Sequence, residues 1–228
     1  MEYLSCSDAS KAMGSSVRRI QQMCKNGELP GAIKEGRKWL IPDETIHMNH
    51  FAKNKSLPIG VSDFKLATTG YYYVDKTLMI RDFLDKKPMV SLFTRPRRFG
   101  KTLNMSMLNY FFSNHYSEKS EIFEKLSIWN SVKYRKLQGA YPVIFISFAD
   151  VKQGNYKDAV QKVKKIIADV YRQYRYLMDY PDFTVADRRK LSDMTDRIDD
   201  VTAQDSLKDL SYFLSEYYKK KVIILLDE

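Results

Sequence analysis

The sequence predicts an α/β fold in which a largely parallel sheet is covered by helices on both faces. Three apolar runs have the length of strands and lie at residues 88–93, 141–149 and 222–226. Segments with apolar residues at helical spacing, such as 155–177 and 204–218, lie between these runs. Continuously apolar strands that alternate with helices are typical of parallel sheets buried on both faces. A small module precedes this main domain.

The composition allows one main domain and one accessory module. The chain has 228 residues, of which 44% are hydrophobic, enough to bury one good core and a second small one. No apolar run approaches the ~18 residues needed to cross a bilayer. The N-terminus also lacks a basic region followed by a hydrophobic one. We therefore expect a cytoplasmic protein without a membrane partner.

The cysteines and histidines favour neither a disulfide framework nor a zinc site. The two cysteines, Cys6 and Cys24, are too few for either a disulfide scaffold or a four-ligand cluster. We expect both to be reduced thiols on helices. The histidines, His47, His50 and His115, have no acidic or thiol neighbours at metal-binding spacing.

Residues 3–46 are predicted to contain two short helices. Ser5 can cap the first helix, with Asp8 three residues on as the reciprocal acceptor, and Gly14 ends that helix. Ser16 can cap the second helix. A hairpin follows, with the strands at 32–34 and 37–41 and a turn at Glu35 and Gly36. The pattern is helix, turn, helix and wing.

This module, residues 1–48, resembles the winged helix-turn-helix domains of the excisionase and MerR-type group. The resemblance lies in "YLSCSDASKAMG", "RRIQQMCKNGELPGA" and "GRKWLIP". In that group the second helix enters the major groove of double-stranded DNA and the wing touches the backbone. The resemblance implies base or phosphate contacts for Arg18, Arg19 and Gln22, and phosphate contacts for Lys34, Arg37 and Lys38.

Two interpretations of this module stay open. The first is DNA binding, in a group that commonly acts as a dimer, which leaves a homo-oligomer open as well. The second is a helix pair that docks on another protein, because arginines on an exposed helix face are usually only solvated. A single small DNA-binding domain makes few phosphate contacts, so DNA binding by the module alone should be weak and sensitive to salt.

The main domain carries a Gly-Lys-Thr at residues 100–102, between an apolar run and a helical stripe. In a phosphate-binding loop, the backbone N–H groups at a helix N-terminus, a lysine and a magnesium-binding hydroxyl supply the contacts. The general motif has a glycine where this chain has Arg95. The net charge of +10 is concentrated here, because residues 51–100 contain ten Lys and Arg against four Asp and Glu. The location favours an anionic ligand.

A second acidic motif supports this interpretation. The apolar run at 222–226 delivers Asp227 and Glu228 at its carboxyl end, where ligands bind in open α/β sheets. In phosphoryl-transfer sites a strand-end aspartate holds Mg²⁺, and a neighbouring glutamate can polarise the attacking water. The alternative is that the two acids only mark a solvated strand end.

The motifs together predict an ATP and Mg²⁺ site. Lys101 is assigned to the β and γ phosphates, Glu228 to the attacking water, and Thr102 and Asp227 to Mg²⁺. The phosphate cradle is assigned to the backbone N–H groups of Arg98, Phe99, Gly100, Lys101 and Thr102.

From about Leu57 to Glu228 the chain resembles the AAA-ATPase-like family of bacterial and archaeal proteins. The matching segments are "LPIGVSDFKLATTGYYYVDKTLMIRDFL", "LFTRPRRFGKTLNMSMLNYFF", "YPVIFISFADV" and "VIILLDE". In this family "RPRRFGKT" is the habitual form of the nucleotide loop, so Arg95 departs from the general motif but not from the family's version. Arg95, Arg97 and Arg98 either neutralise phosphate charge, contact a partner's nucleic acid or form a solvated loop.

Two further predictions concern the end of the chain and residues 70–77. Members of the family continue beyond the second acidic motif and often end in a nuclease-like domain, so we expect an incomplete P-loop NTPase fold in a fragment or truncated product. In "GYYYVDKT", residues 70–77, Asp75 and Lys76 either orient the loop or pair with each other. The tyrosines either flank a base or pack as a half-buried strand.

The leading hypothesis is an ATP-binding, P-loop ATPase-like protein with a DNA-binding module, whose complete form hydrolyses ATP. The alternative is a non-catalytic DNA-binding regulator whose nucleotide fold is only a binding or dimerisation module. A nucleic-acid-processing enzyme is a third possibility and would need a C-terminal domain. The sequence does not distinguish ATP from GTP.

Overall fold

The computed structural model describes residues 3–46, 55–94, 96 and 99–227. The chain divides into two compact units, one formed by Met1–Ile59 with Ala67–Val74 and the other by Gly60–Leu66 with Asp75–Glu228. Residues 47–54 lie outside the described residues and include most of the interval between the two predicted domains, 1–48 and 57–228.

The described part of the first unit contains two complete helices, a further helical stretch at residues 43–46 and a three-stranded antiparallel sheet of strand order β1-β3-β2. Its elements are β1 (Tyr3–Ser5), α1 (Cys6–Ala12), α2 (Val17–Lys25), β2 (Ile33–Glu35) and β3 (Lys38–Pro42). Strand β1 was not predicted. Its three residues are too few to show a period, and it exists because Tyr3 pairs with Pro42 at the end of β3.

Both predicted helix caps are confirmed. The Ser5 side chain accepts a hydrogen bond from the backbone N–H of Asp8 at 3.2 Å, and the Ser16 side chain accepts one from Arg19 at 3.3 Å. Each satisfies a backbone donor that has no partner within the helix. Gly14 follows α1 with a φ of 57°, a conformation that glycine adopts without steric cost.

The predicted hairpin is present, but its turn lies one residue further along the chain. Glu35 pairs with Lys38, so Gly36 and Arg37 form the two-residue loop instead of Glu35 and Gly36. Gly36 has a φ of 63°, which suits the first position of a tight hairpin turn. Because the sheet register places Ile33 opposite Leu40, the loop between the two strands consists of Gly36 and Arg37.

The core of the first unit joins both helices to β3. Its buried hydrophobic residues are Cys6, Ala9, Met13, Ile20, Cys24, Leu29, Ile41 and Ile46. Cys6 and Cys24 are free thiols, as predicted. Burial, together with the neighbouring Cys6, raises the pKa of the Cys24 thiol to about 11. The thiol therefore stays protonated and behaves as an apolar core group.

The second unit is a mixed α/β structure. Helix α3 (Phe64–Gly70) belongs in part to each unit. The remaining α-helices are α4 (Leu78–Lys86), α5 (Lys101–Phe112), α6 (Val132–Arg135), α7 (Tyr156–Gln173), α8 (Val185–Ser192) and α9 (Asp200–Tyr218). Short 3₁₀ helices lie at Asn114–Tyr116, Ser120–Ile122, Ser127–Asn130 and Arg175–Asp179. None of the helices in the described part of the chain is both long and apolar enough to span a membrane.

A parallel pair of strands forms the sheet of this unit. Strands β4 (Val143–Ser147) and β5 (Ile223–Asp227) pair in register from Val143 opposite Ile223 to Ser147 opposite Asp227. The two strands therefore end at the same edge. This arrangement confirms the mixed α/β class and the parallel direction.

The predicted strand at residues 88–93 is wrong. The segment has no regular secondary structure, and Met89, Val90 and Leu92 are 103, 87 and 85% exposed. A strand needs a hydrogen-bonded neighbour, and among the described residues β5 pairs only with β4. An apolar run of strand length was therefore not sufficient evidence for a strand.

The charged and weakly periodic residues 180–204 are predicted to form a surface insertion or loop, but much of the segment is helical and part of it is buried. Helix α8 begins with a capping box in which the Thr184 side chain accepts from Asp187 and the Asp187 side chain accepts from the Thr184 backbone. Leu191, Met194 and Ile198 are buried in the core with α7 and α9. The apolar residues are too widely spaced for a continuous helical stripe, so periodicity alone misses them.

Candidate functional site

The N-terminus of α5 carries backbone N–H groups that point out of the end of the helix. Gly100 precedes the helix with a φ of 74°, in the left-handed region, and its carbonyl accepts from the N–H of Asn104 at 2.9 Å. The N–H groups of Lys101, Thr102 and Leu103 therefore have no acceptor within the helix. Together with the helix dipole, these groups favour an anion at this end.

Asp227 lies next to this helix terminus, at the end of β5. The Thr102 hydroxyl donates to Oδ1 of Asp227 at 3.3 Å. The Ser147 hydroxyl, from the end of β4, donates to Oδ2 at 3.3 Å. Asp227 is only 4% exposed, and a buried carboxylate needs such partners. Three separate elements thus converge on one carboxylate.

The donor set fits Mg²⁺. Mg²⁺ prefers hard oxygen ligands and is usually held by one or two carboxylates together with substrate phosphates and water. The Thr102 hydroxyl gives its hydrogen to Asp227, which leaves its oxygen lone pairs available to a cation. No three His, Cys, Asp or Glu side chains converge anywhere in the described residues. A Mg²⁺ ion here would therefore rely on Thr102, Asp227, phosphate oxygens and water.

Lys101 and Asp227 line the same groove, which has a volume of about 1040 Å³. Residues 87–93 and 221–226 also line it, together with residues of α4 and α5 and with Tyr141. Lys87 and Lys221 add positive charge to this groove. The predicted lysine and aspartate thus both border one groove.

Thr102 lines a second cleft, which has a volume of about 580 Å³. Hydroxyl, amide and aromatic groups line it, and none of the described residues that line it is a lysine or arginine. His115, which also lines it, has its pKa lowered by burial, so it is neutral at pH 7. The groove with Lys101 is therefore the more favourable of the two for a triphosphate.

Asp75 of the "GYYYVDKT" segment ties that segment to the 3₁₀ helix Ser127–Asn130. One carboxylate oxygen accepts from the backbone and hydroxyl of Thr77 at 2.8 and 2.7 Å, and the other accepts from the Ser127 N–H at 2.7 Å. Burial acts to raise the pKa of Asp75, but the hydrogen bonds from Ser127 and Thr77 outweigh it and hold the pKa below its usual value. These contacts favour an orienting role for Asp75.

Two predicted site residues, Arg98 and Glu228, lie outside the described residues, and so do Arg95 and Arg97, whose role was left open. Phe99, at the edge of this stretch, is exposed. Its backbone N–H donates to the Pro96 carbonyl at 3.4 Å. The structure brings together Gly100, Lys101, Thr102 and Asp227.

Ser147 was missed at the sequence level. A usable signal existed, because Ser147 is the last residue of the apolar run "VIFIS" in the same way that Asp227 ends "IILLD". The ends of neighbouring parallel strands meet at one edge of a sheet, so polar residues there are expected to be neighbours.

The residues predicted to contact DNA are exposed on the first unit. Arg18, Arg19 and Gln22 lie on α2, and Lys34, Arg37 and Lys38 lie on the hairpin of β2 and β3. Gln22 also donates to the side chain of Asn26 at 3.0 Å.

The features of the second unit are consistent with a P-loop-like domain. They are a parallel sheet, a Gly-Lys-Thr at a helix N-terminus and a strand-end aspartate in contact with its threonine. A family described as predicted AAA-ATPase matches residues 58–228. The chain belongs to this AAA-ATPase-like family, which confirms the resemblance found in the sequence and implies a nucleotide-binding, ATPase-like function.

A curated relative covers part of the same chain. Over 115 residues the chain is 30% identical to an uncharacterized protein from the vnfD 5′ region of Azotobacter chroococcum mcd 1. The match covers 50% of this chain and 21% of the relative, so the chain spans about a fifth of that protein's length. No solved structure matches the chain.

Proposed function

We propose that the second unit binds ATP with Mg²⁺ between the N-terminus of α5 and the end of β5. The contact between the Thr102 hydroxyl and Asp227 carries this proposal, because it joins two motifs that are 125 residues apart in the sequence. Both groups are oxygen donors suited to Mg²⁺. The family to which the chain belongs supports the same class of ligand.

Each residue has a distinct role in this proposal. The ammonium of Lys101 binds the β and γ phosphates, and the backbone N–H groups from Arg98 to Thr102 surround them. Thr102 and Asp227 hold Mg²⁺, which neutralises phosphate charge when bound. Glu228 orients the attacking water. These contacts act by position and charge, which is the main catalytic contribution in phosphoryl transfer.

Lys101→Ala tests nucleotide binding directly. Loss of a charge-assisted contact worth about 1.5–3 kcal/mol should weaken the affinity for a non-hydrolysable ATP analogue by roughly 10- to 100-fold. Isothermal titration calorimetry measures this affinity. Lys208→Ala, an exposed lysine on α9, is the matched control and should bind as the wild type does. Equal affinities in all three proteins would remove the proposal.

We further propose that ATP is hydrolysed at this site. Glu228→Gln should then retain analogue binding and lose turnover, since only the group that polarises water is changed. Phosphate release measured alongside calorimetry separates the two effects. Loss of binding in this variant would argue against the assigned role.

We further propose that the first unit binds double-stranded DNA through α2 and the hairpin. The exposure of all six polar or cationic residues named above supports this. A mobility-shift assay over a salt series measures it, because each phosphate contact changes the slope of log K against log salt by about −0.9. Arg18→Ala combined with Arg19→Ala should reduce binding and flatten the slope, whereas Lys11→Ala on α1 serves as the control.

The alternative function is a DNA-binding regulator whose nucleotide fold does not catalyse a reaction. The same assay with and without ATP distinguishes it. A DNA shift that is independent of nucleotide, together with no ATP turnover, favours the regulator. ATP binding without any DNA affinity at low salt favours a protein-docking role for the first unit.

A further inference from the structure

Ser147 occupies a defined place beside the candidate magnesium site. It is the last residue of β4 and lies opposite Asp227 in the parallel register. Its hydroxyl donates to Oδ2 of Asp227 at 3.3 Å, and its oxygen accepts from the backbone N–H of Ala149 at 3.4 Å. The hydroxyl is therefore itself oriented by the turn that follows the strand.

The two oxygens of Asp227 have different partners. Oδ1 accepts from Thr102 of α5, whereas Oδ2 accepts from Ser147 of β4. In the proposed site Thr102 is a ligand for the cation, so its contact with Asp227 can change when Mg²⁺ binds. The contact from Ser147 comes from the neighbouring strand, and sheet pairing keeps it in place.

We propose that Ser147 is a positioning residue that orients the Asp227 carboxylate toward Mg²⁺. This inference rests on the proposed function. By occupying Oδ2, Ser147 fixes the plane of the carboxylate and leaves Oδ1 directed to the Thr102 side. Groups that hold metal ligands in this way determine metal affinity nearly as strongly as the ligands themselves.

A merely structural role would give a different result. If Ser147 only satisfied a buried acid, its loss would lower stability and would change nucleotide affinity equally with and without Mg²⁺. A positioning role predicts a change in the Mg²⁺ requirement alone. The Mg²⁺ dependence of binding therefore separates the two roles.

The experiment measures the affinity of the 228-residue chain for a non-hydrolysable ATP analogue by calorimetry, first with EDTA and then over a Mg²⁺ series. Ser147→Ala should bind as the wild type does in EDTA, while the Mg²⁺ concentration for half-maximal tight binding rises roughly tenfold. Ser147→Thr keeps the hydroxyl and should restore the wild-type requirement. Ser211→Ala is the matched control, because Ser211 donates only within α9, to the Leu207 carbonyl.

Three results would overturn the inference. The first is an unchanged Mg²⁺ requirement in Ser147→Ala, and the second is a loss of affinity that is equal with and without Mg²⁺. If Ser147→Ala does not fold, Ser147→Cys replaces it, because a thiol is nearly isosteric and only a weak donor. The third is a Mg²⁺ requirement in Ser147→Cys that equals that of the wild type. Failure of the wild type itself to bind the analogue would refute the proposed function, and this inference with it.

Discussion

Residues 88–93 and residues 223–227 are both short apolar runs beside the candidate site, yet only the second forms a strand. Residues 223–227 pair with β4 along their whole length, and Leu225 and Asp227 are buried. Residues 88–93 have no such neighbour, and Met89 is fully exposed. The difference shows that an apolar run becomes a strand only where a hydrogen-bonded partner is present.

The two sides of the candidate site are likewise held in position in different ways. The acid side is fixed by sheet pairing and by the hydroxyls of Ser147 and Thr102. The lysine side depends on α5, whose residues Met107, Leu108, Phe111 and Phe112 are buried. Lys101 is therefore positioned by the packing of its helix and not by the apolar run that precedes it.

The largest expected effect comes from a comparison in which a leucine in each run is replaced by aspartate. Leu225→Asp puts an unpaired charge into the core beside β4 and should reduce the free energy of unfolding by about 3–5 kcal/mol. Leu92→Asp, at an exposed position, should change it by less than about 0.5 kcal/mol. Urea denaturation followed by circular dichroism measures both. Similar losses in the two variants would contradict the contrast between the runs.

A smaller effect is expected at Thr77, which precedes α4 and the run at 88–93. Thr77 is fully buried, and its hydroxyl donates to Asp75 and accepts from the Ile128 N–H at 3.1 Å. Thr77→Val should cost about 1–3 kcal/mol, since buried polar groups lose their partners. Thr77→Ser keeps the hydroxyl and should cost less in the same denaturation experiment. Equal costs would show that the hydroxyl is not important.

The smallest effect concerns the pH dependence of stability at Asp75. Its pKa in the folded chain lies below the unfolded value of about 3.9. The ionised carboxylate therefore stabilises the fold above that pH, and this contribution is lost as the pH falls through the folded pKa. Asp75→Asn should be less stable by about 1 kcal/mol at pH 7. The gap should narrow below about pH 4, and a constant gap from pH 7 to pH 2 would argue against it.

Local signals predicted much of the fold correctly. Ser5 and Ser16 were recognised as caps because their hydrogen bonds form within three residues. The family and the α/β class followed from motifs that are contiguous in the sequence. The mutual approach of Thr102 and Asp227 was expected because both motifs were assigned to one ATP and Mg²⁺ site at the carboxyl end of the strands.

Apart from the one-residue shift of the hairpin turn, the errors concern contacts between distant segments. Strand β1 depends on Pro42, and the run at 88–93 lacks a partner that its own sequence does not reveal. Leu191 and Met194 are buried by packing against helices far away in the sequence. Ser147 lies beside Asp227 because of the register of β4 against β5. Such pairings are set by tertiary structure, so local periodicity does not determine them.

The Mg²⁺ dependence of nucleotide affinity in Asp227→Asn tests the central claim most directly. We expect Mg²⁺ to tighten the binding of a non-hydrolysable ATP analogue to the wild type and to Asp205→Asn, an exposed control on α9. Asp227→Asn should still bind the analogue in EDTA but should gain nothing from Mg²⁺, because its amide is a poor ligand for the ion. A wild-type gain in Asp227→Asn would contradict a site shared by the N-terminus of α5 and the end of β5.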